Sequence, residues 1–78
     1  MELKRLSQNA TQLVLKDGTS VLFSYSFPVA AFVPGKGFRK SAAYFSKTTW
    51  AHVRDWIPAG APVVVVTQNE IDSLVKEA

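Results

Sequence analysis

Four consecutive valines, Val63–Val66, follow Pro62 and constrain the fold more than any other stretch. Branching at Cβ stiffens these side chains and suits them to a pleated strand. The run shows no polar alternation, which predicts a strand buried on both faces. Thr67-Gln68-Asn69-Glu70 comes next and has the form of a capping box, with threonine at N-cap and glutamate at N3. It opens a C-terminal helix with Ile71, Leu74, Val75 and Ala78 as its apolar stripe. Upstream, Trp50, Val53 and Ile57 recur at i, i+3 and i+7, with Trp56 beside them. This predicts a helix from about Thr48 to Ile57, capped by Ser46 or Thr48 and ended by Pro58 and Gly60. The valine strand is thus expected to complete a crossover unit, parallel to the strand before the helix.

Five short strands are expected ahead of that helix, as an antiparallel meander. Leu3–Ser7 and Thr11–Lys16 are joined at Gln8-Asn9-Ala10, and Asp17-Gly18 marks a tight hairpin with positive φ angles. In Thr19–Tyr25, Val21, Phe23 and Tyr25 share one face and Ser20, Leu22 and Ser24 the other. Pro28 cannot donate to a ladder, so it starts a strand or sits at an edge, ahead of Val29–Val33. Pro34-Gly35-Lys36-Gly37 is a turn, and Phe38–Phe45 returns as the fifth strand, with a possible break near Ala42-Ala43. The expected architecture is one α+β domain over residues 1–78, with both helices on one face of the sheet. On this reading, Val64→Asp unfolds the domain.

At 78 residues the chain supports a single small core. It has no cysteine, so neither disulfides nor thiolate metal sites are available. No apolar run follows Met1 and none reaches membrane-spanning length, so neither a signal peptide nor a membrane helix is expected. A cytoplasmic setting fits this composition. The net charge of +3 is mild but unevenly placed. From Gly18 to Arg54 no acid occurs, while Lys36, Arg39, Lys40, Lys47 and Arg54 do. Such a one-signed segment attracts an anionic partner, unless it is no more than a soluble surface.

Three groups of residues carry candidate chemistry. Thr48, His52 and Asp55 share one helical side, but parallel side chains on a helix rarely form a relay, and no catalytic role is assigned. A single histidine without cysteine also offers no zinc site, and no cofactor is expected. Ser46-Lys47-Thr48-Thr49 at a helix start provides hydroxyls, a lysine and free N–H groups, an anion seat unless these groups only cap. Lys36, Arg39 and Lys40 lie on a hairpin with Phe38, which resembles a phosphate loop but lacks the required glycine spacing. The aromatics are too numerous for full burial, and an exposed one would mark a partner surface.

Ser24-Tyr25-Ser26-Phe27-Pro28-Val29-Ala30, together with Tyr44-Phe45-Ser46-Lys47-Thr48-Thr49, His52 and Trp56-Ile57, resembles a motif pair in small uncharacterised phage and mobile-element proteins. The resemblance covers about Ser24 to Ile57, with Ser26-Phe27 departing from the pattern. It implies a phage or plasmid origin and action inside a bacterial cell, and no activity.

The resulting expectation is a non-enzymatic module that binds nucleic acid or a nucleotide through Lys36, Arg39, Lys40, Ser46, Lys47, Thr48, Thr49 and His52. The alternative is an inhibitor or adaptor that binds a host protein through an exposed aromatic patch or sheet edge. A thin core with free edge strands further suggests a homodimer.

Overall fold

Alternating strand patterns with short turns favour a meander, and the computed structural model, which describes residues 2–76, contains one. The strands are β1 (Glu2–Ser7), β2 (Ala10–Val14), β3 (Ser20–Ser24), β4 (Phe27–Val33) and β5 (Gly37–Ser41). Helix α1 (Lys47–Trp56), strand β6 (Val63–Val66) and helix α2 (Gln68–Lys76) follow. The six strands lie in sequence order in one sheet. All neighbours are antiparallel except β5 and β6, which are parallel. The α+β class and the parallel β5–α1–β6 unit match the sequence reading.

The turns follow local chemistry. Between β2 and β3, Leu15 and Thr19 face each other across Lys16-Asp17-Gly18. The Gly18 amide donates to the Leu15 carbonyl at 3.1 Å, and of these loop residues only Gly18 has a positive φ, +91°. This is a three-residue loop with glycine at its left-handed position, where a two-residue turn was expected. The Asp17 carboxylate accepts the Thr19 amide at 2.9 Å, and those hydrogen bonds lower its pKa. At the next hairpin, Pro34 and Gly35 occupy the two middle positions of a turn closed by Lys36 N–H to Val33 carbonyl. Pro28 is the second residue of β4, beside a register shift opposite Leu22 and Phe23, where a missing N–H is tolerated. Strand β5 stops at Ser41, whose hydroxyl accepts the Ala43 amide and turns the chain.

The two helices cover opposite faces of the sheet, which corrects the expected single-sided arrangement. Side chains alternate along a strand, so Leu22 and its ladder neighbours Gln12 and Ala30 share one face. Val53 of α1 packs there, against Ala10, Leu22, Val29 and Ala30. Val21 and its neighbours Leu13 and Ala31 share the other, where Ile71 of α2 packs together with Val66. A connection of one residue between β6 and α2 leaves no chain to recross the sheet edge, and α2 folds back on the face that α1 does not use.

The valine strand is also not buried on both faces. It forms an edge of the sheet, with Val64 49% and Val65 56% exposed and only Val66 buried. An unalternating β-branched run reports strand propensity; position in the strand order decides burial. Val64→Asp therefore imposes no fully buried charge and is expected to leave the domain folded.

Candidate functional site

Helix α1 and its cap carry Ser46, Lys47, Thr48, Thr49 and His52. Ser46 is its N-cap, and the Thr49 amide donates to the Ser46 hydroxyl at 3.3 Å. Thr49 then falls on the sheet side of the first turn and is buried, while Thr48 faces solvent. One turn later His52 reaches β3. Its Nδ1 lies 2.8 Å from the Ser24 hydroxyl, which is itself 3.0 Å from the Thr49 hydroxyl. Ser46 donates to Thr49 Oγ1 at 3.3 Å. With one proton per hydroxyl, a consistent order runs Ser46 to Thr49 to Ser24 to His52 Nδ1. That order makes Nδ1 an acceptor and leaves the proton on Nε2, a tautomer assigned from the network.

This chain ties α1 to β3. Ser24 is 1% exposed, so its hydroxyl has no line of approach for a substrate. His52 bonds to neither of its helical neighbours, and the side chain of Asp55 is 78% exposed beside Arg54. Beyond His52, Leu6, Ala10, Leu22, Asp55 and Trp56 line a cavity of about 350 Å³. The Trp56 indole N–H donates to Gln12 at 2.7 Å and fixes the far end of the helix to β2.

The bases expected to act together are divided between the two faces. Arg39 and Lys40 are consecutive on β5, so they point oppositely. Arg39 lies on the α2 side, 3.7 Å from Glu70, with its buried Nε lacking a hydrogen-bond partner among the described residues. Lys36 lines the same 220 Å³ cavity, in which Glu70 offsets the positive charge. Lys40 lies on the α1 side, with Nζ 5.6 Å from the Trp50 ring centroid, within cation–π range. Phe45 packs edge-on against Trp50, at 5.4 Å between centroids and 69° between planes.

Lys40 and Trp50 belong to a groove of about 810 Å³ between α1, the α1-facing side of β5–β6 and the loop 58–61. Lys47, Trp50, Ala51 and Arg54 line it from the helix, and Ala61 and Val63 from the strand side. Among the described residues no acidic one lines it. The groove exists because α1 packs over β3 and β4 and leaves the β5–β6 margin of that face open. Arg54 and Trp50 were not among the candidates drawn from the sequence. Their signal was the helical spacing Lys47, Trp50, Arg54, which places all three on one side.

Elsewhere on the surface, Tyr25 is 52%, Phe27 66% and Tyr44 fully exposed. Tyr25 has φ +58° in the two-residue β3–β4 loop, a conformation that a bulky residue rarely adopts. Its ring centroid lies 6.2 Å from that of His52. Among the described residues no helix is long and apolar enough to cross a membrane, and no group of three or more His, Cys, Asp or Glu could hold a metal ion.

No curated protein and no solved structure matches this chain. A family model matches residues 1–73, and the chain therefore belongs to a family of unknown function (DUF8033).

Proposed function

We propose that this protein is a non-enzymatic binding module for an anionic partner, a nucleotide unit either free or within a nucleic-acid strand. The observation that carries this reading is the groove that Lys40, Lys47, Trp50 and Arg54 line with no acid among the described lining residues, Asp55 lying 3.9 Å from Arg54 but outside the lining. Phosphates suit the bases, and an indole provides a face or edge for a planar base. The groove volume of about 810 Å³ is ample for one nucleotide. Of the residues first considered, Lys40 and Lys47 stay in the site and Arg54 and Trp50 join it. Ser46, Thr49 and His52 support it by holding α1 to β3, while Thr48 is a solvent-exposed neighbour. Lys36 and Arg39 lie across the sheet beside Glu70 and are outside it. The motif resemblance, which implies a phage or plasmid origin, favours a partner inside a bacterial cell and a module in its cytoplasm.

The test is a titration of a labelled single-stranded oligonucleotide and of free nucleotides at two salt concentrations. Three phosphate contacts predict a log–log salt slope of about −2 for a single strand. The double substitution Lys40→Glu, Lys47→Glu is expected to lower oligonucleotide affinity at least tenfold with an unchanged circular dichroism spectrum. A shallow salt slope with nucleotide binding retained assigns the free ligand. If neither class binds saturably, the anion reading is wrong. The exposed Tyr25, Phe27 and Tyr44 then favour the second reading, an inhibitor or adaptor that binds a host protein.

A further inference from the structure

Among the described residues the sheet has two free edges, and they are built differently. Strand β1 carries Glu2, Lys4 and Arg5 and has a register shift between Arg5 and Ser7. Charges and bulges are the usual protection of an edge against pairing with another chain. Strand β6 has neither: it is four valines in an unbroken register with β5. Its hydrogen-bonding pattern shows which groups remain free. The Val66 carbonyl accepts the Ala42 amide at 2.7 Å, on the β5 side. By alternation, the N–H and C=O groups of Val63 and Val65 point to the open edge.

We infer that β6 pairs antiparallel with β6 of a second copy, forming a twofold dimer whose sheet runs continuously through both subunits. A second copy fits better than an unrelated strand because the segment is self-complementary in sequence and in hydrogen-bonding phase. With the axis at Val64, Val63 of each copy faces Val65 of the other, and each such pair exchanges both backbone bonds. Val64 then meets its symmetry mate, which covers side chains now 49% and 56% exposed at Val64 and Val65. The interface is isologous and closed, so it stops at two.

The symmetry has a functional consequence. Antiparallel pairing about an axis normal to the sheet keeps equivalent faces on the same side. Both basic grooves therefore lie on one face, on either side of the axis, and both α2 helices lie on the other. Lys40, Lys47 and Arg54 from two copies make a positively charged platform longer than one nucleotide, which selects a nucleic-acid strand over a free nucleotide. The dimer itself stands apart from the groove reading, whereas the joined platform rests on it. The paired segment is short and like charges flank the axis, so association is concentration-dependent. A strand spanning both grooves strengthens it by linkage.

Sedimentation velocity over a concentration series, with and without a single-stranded oligonucleotide, tests this. Wild type is expected to approach twice the chain mass of 8.6 kDa, and the oligonucleotide lowers the concentration required. Val65→Pro removes only the edge-facing N–H and is expected to be monomeric with native circular dichroism. Val64→Lys, at an exposed position, opposes two lysines across the axis and provides the same test if the proline variant misfolds. In both variants the preference for oligonucleotide over mononucleotide should fall at least tenfold. A wild type that stays at one chain of 8.6 kDa per particle, free or bound to oligonucleotide, at its highest soluble concentration overturns the inference, as do variants that dimerise like wild type. A dimer broken by these changes that binds no oligonucleotide keeps the pairing and discards the groove reading. A monomer whose binding depends on Lys40 and Lys47 does the reverse.

Discussion

The two faces of the sheet are held by different chemistry. On the α2 face Leu13, Val21, Ala31, Val66 and Ile71 pack together, and Val21, Ala31 and Ile71 are fully buried. Polar contacts there sit at the margin, where Gln68 accepts from Ser41 and donates to the Pro28 carbonyl and to Asp72. On the α1 face the apolar cluster is crossed by polar links: Ser24 with Thr49 and His52, and Trp56 with Gln12. On both faces the links join positions far apart in sequence. Both faces bury five apolar residues, three of them fully, so the difference lies in the helix side chains that bond to the sheet: Thr49, His52 and Trp56 along the length of α1 beside the groove, against Gln68 at the start of α2.

Truncating the α2 face should have the largest effect. Ile71→Ala removes a fully buried side chain and is expected to cost about 2–5 kcal/mol in urea unfolding. A loss under about 1 kcal/mol would mean that this face is loosely packed and that the contrast fails. Breaking the polar face comes next. Ser24→Ala leaves His52 Nδ1 and the Thr49 hydroxyl without their partner and should cost about 1–3 kcal/mol. If Ser24→Ala is neutral, the chain of hydroxyls makes no net contribution and α1 is held by Val53 and its apolar neighbours alone. The smallest effect marks where burial ends. Val64→Asp, at an exposed edge position, should stay within about 0.5 kcal/mol of wild type at a concentration where the chain is monomeric. A large loss there would return β6 to the core.

Tyr25 sharpens the contrast from another direction. Its positive φ lies on the α1 side of the molecule, next to His52, and strained backbone of this kind persists only where surrounding contacts hold it. The Tyr25 amide donates to the Asn9 carbonyl at 2.7 Å, which clamps the loop to the β1–β2 turn. Nothing in the composition of Ser24-Tyr25-Ser26-Phe27 announces a turn, because primed turns are read from glycine and asparagine. The third strand was accordingly expected to run to Tyr25, whereas β3 ends at Ser24 and β4 begins at Phe27.

Much of the architecture was legible because it depends on near neighbours. Gly18 and the Pro34-Gly35 pair determine their turns through φ, Ser46 and Thr67 cap their helices, and the alternation along Ser20–Ser24 separates the two faces correctly. The division of Arg39 from Lys40 was also legible in principle, since consecutive strand residues face opposite ways. Three things were decided only by the tertiary structure. Whether β6 lies inside the sheet or at its edge depends on strand order, which four valines do not encode. Which face each helix covers depends on how the chain leaves β5 and β6. The partner of His52 is a serine 28 residues away, brought within 2.8 Å by the packing of α1 on β3. Local propensity acts over a few residues, whereas strand order, helix side and distant pairing follow from burying all the apolar faces at once.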